Sequence, residues 1–184
     1  LDRSGAVDPA RTVAVIGDST FLHSGITGLM NIVYNKGRST VIILDNSITG
    51  MTGHQQNPAT GKDIRGDAAP AVDLEQLCRA LGVNDVKTVD PFDMPALREA
   101  LLASLAFDGP SVIIARRPCA LLSKARTAPL RVTQSCIGCR RCMGIACPAL
   151  IFEAGRARVD ISLCNGCGLC ASVCPKGAIV KEEM

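Results

Sequence analysis

Eight of the ten cysteines fall in two runs near the C-terminus. The second run is Cys164, Cys167, Cys170, Cys174 and Pro175. Its spacing, C-x2-C-x2-C-x3-C-P, is that of bacterial iron–sulfur ligation. The first run is Cys136, Cys139, Cys142, Cys147 and Pro148, with one extra residue before its fourth cysteine. Three thiolates two residues apart can wrap one face of a cubane cluster, while the fourth points away toward a second cluster. Residues 136–151 and 164–179 read as two copies of one unit: a cysteine loop, a helical turn, then Cys-Pro and an aliphatic residue. Crossed ligation then predicts two [4Fe–4S] sites. Cys136, Cys139, Cys142 and Cys174 form one, and Cys164, Cys167, Cys170 and Cys147 the other. The extra residue requires a bulge before Cys147.

Zinc and disulfides are the competing readings of so many cysteines. Zinc favours paired knuckles of ligands rather than triplets followed by Cys-Pro. Disulfides need an oxidising compartment, and cysteines this close are hard to bridge without strain. Iron–sulfur ligation is preferred to both, and it implies a reducing cytoplasm.

A second constellation lies near the N-terminus. Asp18 and Asn46 each follow a short apolar run, at the point where a strand would end. A carboxylate and an amide oxygen side by side suit a hard cation such as Mg2+. Magnesium commonly carries phosphate oxygens as its remaining ligands. A helix N-terminus near Ser19, Thr20 and Ser24 would offer free N–H groups to them. These residues predict a Mg–diphosphate site.

The elements that must position these groups are legible as alternating strands and helices. Residues 1–11 read as a polar entry loop. Thr12–Ile16 is a β-branched apolar run that fits a strand buried on both faces. Ser24–Tyr34 predicts a helix, with Gly37 at its C-cap. Val41–Leu44 predicts a second buried strand ending in Asp45 and Asn46. A long Gly- and Pro-rich stretch over 47–70 reads as a functional or disordered loop. Val72–Leu81, with Leu74, Leu77, Cys78 and Leu81 on one face, predicts a helix. Val86–Val89 predicts a strand, Pro95–Phe107 a helix, and Ser111–Ala115 a last buried strand. The alternation argues for a parallel sheet in three layers, with ligands at the carboxyl edge of its strands.

Two resemblances follow from these residues. Residues 133–184 resemble the two-cluster bacterial ferredoxin module. Gly17-Asp18-Ser19, followed after a helix by Asp45-Asn46, resembles the thiamine-diphosphate signature, with departures at Ser19 and Asp45. G-D-S-T-F, H-S-G-I and the loop Thr52–Pro58 (T-G-H-Q-Q-N-P), with the ferredoxin module behind them, resemble the C-terminal part of the large subunit of indolepyruvate:ferredoxin oxidoreductases. That resemblance covers essentially the whole chain. It implies an α/β fold with a three-layer parallel-sheet thiamine-diphosphate domain over 1–118, a linker over 119–132 and a small α+β two-cluster ferredoxin-like domain over 133–184. It implies Mg2+ held by Asp18, Asn46 and the Ile48 carbonyl. The cofactor would lie against Gly17, Asp18, Ser19, Thr20, Asn46, Ile48, Gly50, Thr52 and Gly53. His54, in the covering loop, is the catalytic candidate; His23 reads as a supporting residue. Cys78 and Cys119 read as small buried residues.

The activity implied is oxidative decarboxylation of an aryl 2-oxoacid to an acyl-CoA, with electrons passing through the clusters to an external ferredoxin. An N-terminal pyrimidine-binding domain and a small partner subunit are expected as partners, with coenzyme A and the 2-oxoacid as substrates. Leu1 in place of a methionine suggests a processed product or a piece of something longer. Two other readings stay open: an oxidoreductase for a different 2-oxoacid such as pyruvate, and an electron carrier whose scaffold has lost its cofactor.

Composition is consistent with this class. The chain has 184 residues, 47% hydrophobic and 3% aromatic, so its core is aliphatic. A net charge of +3 is too small to argue for a nucleic-acid function, and none is expected. No apolar run approaches the roughly 20 residues a membrane helix needs, and no signal peptide is visible. Arg116, Arg117, Lys124, Arg126, Arg131, Arg140 and Arg141 crowd the expected junction. They read as a solvated surface, with a docking face for an acidic electron-transfer partner as the other possibility.

Overall fold

The computed structural model describes residues 12–122 and 128–181. The expected entry loop over 1–11, and Lys124 and Arg126 of the junction, lie outside the described residues. The chain divides into two units, Leu1–Cys119 and Ala120–Met184. Among the described residues no helix is long and apolar enough to cross a membrane.

The first unit is a four-stranded parallel sheet in the order β1-β2-β4-β3. Its strands are β1 (Val13–Gly17), β2 (Thr40–Asp45), β3 (Asp85–Val89) and β4 (Ser111–Arg116). The helices are α1 (Asp18–Thr20), α2 (Ile26–Tyr34), α3 (Leu74–Ala80) and α4 (Met94–Ala106), and a π-turn, Phe21–Gly25, joins α1 to α2. One sheet face carries Val41, Ile43, Val86, Val112 and Ile114, packed against Phe21, Leu29, Leu74 and Cys78. Each such fully buried aliphatic side chain contributes about 1.5–3 kcal/mol of transfer free energy. On the opposite face, α4 meets β3 and β4, where Ser104 donates to Asp85 at 3.0 Å. The β4 side chains Val112, Ile113 and Ile114 are fully enclosed, as a strand between two helical layers requires.

Three expectations change. β1 is not buried on both faces: Val13 is 39% and Val15 61% exposed. It lies at the sheet edge, with its helical cover on one side. The first helix does not begin at Ser24 but at Asp18, directly after the strand. Gly, Asp, Ser and Thr read as a turn in isolation because their side chains compete for backbone hydrogen bonds. Here Asp18 occupies the first helical turn, where a carboxylate is favoured by the exposed N–H groups. Gly25 then permits close packing, since a Cβ there would sit 2.8 Å from Ile16 Cδ1. The helix end also differs. Lys36 takes the left-handed conformation, at φ 52°. Gly37 instead donates to the Ile32 carbonyl at 2.8 Å.

The second unit is built from two short antiparallel ribbons, β5 (Leu130–Val132) with β8 (Ile179–Lys181), and β6 (Leu150–Glu153) with β7 (Arg156–Val159). Residues 130–132, placed in the linker from sequence, form a strand of this unit. Leu130, Leu150, Val159 and Ile179 join Cys142 and Cys170 in its core. The expected duplication is visible in the backbone. One copy runs through a 3-10 turn, Arg141–Ile145, into β6; the other runs through α5 (Leu169–Ser172) into β8. The extra residue of the first copy is absorbed just before Cys147, where Ala146 is left-handed at φ 55°.

Candidate functional site

Strand register creates the first site. Gly17 pairs with Leu44, so Asp18 and the Asp45-Asn46 pair leave the sheet at the same carboxyl edge. Asp18 is 2% exposed. Burial pushes its carboxyl above the usual range and the nearby Asp45 charge adds to this; hydrogen bonds from Ser19 N–H and Asn57 oppose it. A carboxylate enclosed here, with a second acid beside it, is a site that a cation stabilises.

The Asn46 turn is held from several directions. The Ile48 N–H donates to Asn46 Oδ1 at 3.1 Å and the Ser47 N–H to Asp45 Oδ1 at 3.1 Å. The Cys119 N–H donates to the Asn46 carbonyl, and the Arg117 N–H to the Asp45 carbonyl, both at 2.9 Å. Ile48 is buried. Thr49 Oγ1 donates to Ser19 Oγ at 2.9 Å, which ties the loop to the helix N-terminus. Thr49 also pairs with Gln55 across a tight turn. Thr52, Gly53 and His54 lie in that turn and are exposed. Gly53 and His54 have positive φ, 111° and 62°. Gly50 lies against Asn46. Thr20, at the end of α1, and His23, on the π-turn, are exposed.

Sequence reasoning missed two contributors. Asn57, 7% exposed, donates its side-chain amide to Asp18 Oδ2 at 3.3 Å. Its signal was its place in the Q-N-P loop. Arg116 was read as a surface cation, yet its Nε donates to buried Asp45 at 2.7 Å. Arg117 pairs with Asp90 at 2.6 Å and stacks 3.9 Å over the Phe92 ring. Arg116 ends β4 and Arg117 follows it, and the two brace the loop beside the strand. Cys78 is fully buried, and burial pushes its thiol to about 11. Cys119 is half-buried.

In the second unit the cysteines gather in two sets. Burial raises the Cys142 thiol, and Cys136, Cys139 and Cys174 around it raise it further. Burial likewise pushes Cys170 to about 11, with Cys167, Cys164 and Cys147 as its neighbours. Each set thus takes three cysteines from one run and one from the other. Cys136, Cys139, Cys142 and Cys174 line one cleft, together with Arg140 and Lys176. Backbone N–H groups reach the sulfurs. Ala178 donates to Cys174 at 3.3 Å, Leu130 donates to Cys164 at 3.4 Å, and N–H groups of Ala157 and Gly138 lower the Cys136 pKa. Such N–H···S bonds stabilise thiolates and tune cluster potential. All ten cysteines are free thiols. Among the described residues no group of three His, Cys, Asp or Glu side chains could hold a single metal ion.

Comparison with known proteins matches both units. Residues 157–180 match the 4Fe-4S binding domain. An indolepyruvate oxidoreductase subunit IorA of Archaeoglobus fulgidus is 46% identical over 176 residues, 92% of this chain and 28% of that protein. The IorA of Methanothermobacter marburgensis is 42% identical over 180 residues, 96% of this chain and 29% of that protein. The chain therefore spans under a third of the length of these relatives. A solved 2-oxoglutarate:ferredoxin oxidoreductase from Magnetococcus marinus shares the fold, with a TM-score of 0.51 at 16% identity, over 58% of this chain and 40% of that one. Residues 4–115, more than half of the chain, match the thiamine pyrophosphate enzyme C-terminal TPP-binding domain, and the chain belongs to that family.

Proposed function

We propose that this chain is the diphosphate-binding and electron-exit part of a 2-oxoacid:ferredoxin oxidoreductase, acting on aryl pyruvates such as indolepyruvate and forming an acyl-CoA. The observation that carries the reading is a buried carboxylate at a helix N-terminus, beside the Asn46 turn, in one chain with two four-cysteine sets. The similarity to IorA subunits supports indolepyruvate as the substrate.

Asp18, the Asn46 side-chain oxygen and the Ile48 carbonyl would hold Mg2+. The N–H groups opening α1, near Ser19 and Thr20, would take diphosphate oxygens. Gly17, Gly50, Thr52 and Gly53 would line the cofactor, with His54 the candidate proton carrier of the covering turn. Bound thiamine diphosphate supplies an electron sink for decarboxylation. The chain's own task is to hold the diphosphate still, and to give each departing electron a thiolate-bound iron site. Cys136, Cys139, Cys142 and Cys174 would ligate one [4Fe–4S] cluster, and Cys164, Cys167, Cys170 and Cys147 the other. Free thiols of this kind fit the cytoplasm. A pyrimidine-binding domain, a small subunit and an external ferredoxin would complete the enzyme.

Calorimetric titration of anaerobic protein with thiamine diphosphate and Mg2+ tests the first half. Binding is expected, and Asp18→Asn should weaken it at least tenfold. An assembled enzyme that binds no thiamine diphosphate returns the electron-carrier reading. Relative rates with indolepyruvate, phenylpyruvate and pyruvate test the substrate.

A further inference from the structure

We infer that the cleft lined by Cys136, Cys139, Cys142 and Cys174 is the point where electrons leave the protein, and that its cationic rim docks a small acidic redox protein. The inference rests on the two-cluster reading above and adds the exit and the chemistry of the partner.

Charge divides unevenly along the chain. Residues 120–184 carry nine Lys and Arg against four Asp and Glu, a net +5; residues 1–119 carry eleven against thirteen, a net −2, which together give the chain's +3. The second unit therefore holds the basic surplus. Much of it stands near one cysteine set. Arg140 and Lys176 line the cleft with the four thiols, and both are exposed. Arg141 follows directly and is exposed too. The Arg140 guanidinium is held 4.2 Å over the Phe152 ring, which fixes its position without neutralising it. Among the described residues of this unit one ion pair is found, Arg158–Glu153 at 3.5 Å. Arg140, Arg141 and Lys176 are not in it, and their charge faces solvent. Ile137, 62% exposed, sits between Cys136 and Cys139. An apolar contact inside a charged rim is the anatomy of a transient protein interface.

The other cysteine set has a different border. Between Asp160 and Ser172 there is no Lys or Arg. Ile161 is 64% and Leu163 58% exposed, and Asp160 is the charged group of that segment. Arg158, the cation next to Asp160, is paired with Glu153, so an acidic partner gains less steering there. Long-range attraction raises encounter rates where opposite charges face each other, and screening by salt removes the gain. The cationic cleft thus selects an acidic carrier and brings it to one cluster. One electron passes per encounter. The cluster on these four thiolates is oxidised as the acceptor's cluster is reduced, and no proton or bond moves.

The test uses the full chain, prepared anaerobically, reduced with dithionite and freed of excess reductant. Stopped-flow mixing with an oxidised acidic two-cluster ferredoxin is compared with mixing against a cationic viologen dye. Arg140→Glu/Lys176→Glu should lower the ferredoxin rate constant roughly tenfold at low salt and flatten its salt dependence. The rate with the dye should hold or rise. Ser162→Glu, beside the other set, should have the smaller effect. If the first variant loses iron, Arg141→Glu/Lys176→Glu carries the same expectation. Intact clusters with unchanged ferredoxin rate and salt slope overturn the exit and leave the two-cluster reading standing, as does a larger effect from Ser162→Glu. Wild-type chain without cluster absorbance or EPR signals overturns both.

Discussion

Asn57 donates its side-chain amide to the Asp18 carboxylate at 3.3 Å across 39 positions of sequence. The bond joins the loop after β2 to the N-terminus of the first helix, at a depth where both side chains are under a tenth exposed. The rest of Asn57 is equally committed: its Oδ1 accepts the Ala59 N–H at 2.9 Å. It therefore holds the carboxylate of the proposed metal site in place from the loop side.

Asn57→Ala should weaken Mg2+ binding in the presence of thiamine diphosphate by roughly tenfold, the scale on which outer partners of metal ligands act. Mn2+ titration followed by EPR reads this directly. An affinity equal to wild type removes Asn57 from the site.

Crossed ligation makes a prediction about pairs of variants. Cys174→Ser and Cys136→Ser should lose the same cluster signal, although 38 positions separate the residues. Cys147→Ser and Cys164→Ser should lose the other. EPR of the reduced variants distinguishes the two signals. Loss of one signal by Cys174→Ser and Cys164→Ser together would mean that each run ligates its own cluster.

Gly138 admits no side chain. A Cβ there would lie 2.2 Å from the Gly155 carbonyl oxygen, and its φ is +67°. The obstacle is backbone of the β6–β7 turn, so it cannot yield as a flexible side chain would. Gly138→Ala should cost about 3 kcal/mol or more. Iron content should fall from about eight to about four per chain, since Gly138 lies inside the first cysteine loop. Retention of full iron would show that the loop can move away.

Asp85 links β3, α4 and β4 through Lys87, Ser104 and Ser111. Burial would raise its pKa, but the hydrogen bonds from these three groups and the Lys87 charge outweigh it and hold the carboxyl below its usual 3.8. A depressed carboxyl stabilises the fold fully above its unfolded value and loses that contribution as pH falls through the folded one. Urea unfolding of the full chain should therefore weaken steeply below about pH 4. Asp85→Asn should be less stable at pH 7 by about 2 kcal/mol and show a flatter acid limb. Parallel curves for the two proteins would place the acid sensitivity elsewhere.

The cysteine runs and the strand–helix alternation were legible because both are local. Ligand spacing and hydrophobic period are properties of neighbouring residues, and the strands near Val41–Leu44 and Ser111–Ala115 follow from β-branched runs alone. The bulge before Cys147 was legible for the same reason, and it takes the form of a left-handed Ala146.

The environment of those residues was decided by packing. Val15 and Ile114 have the same β-branched character, yet one is 61% exposed at the sheet edge and the other fully buried in a central strand. Strand order separates them, and strand order is not a local property. Arg116 looked like any surface cation until β4 was laid beside β2, which set it against Asp45. Asn57 became a partner of Asp18 only when its loop folded back over the sheet edge. Sequence determined which residues are the candidates for metal and cluster ligation; the tertiary fold decided which of them are buried, paired and held in register, because those depend on contacts between residues far apart in the chain.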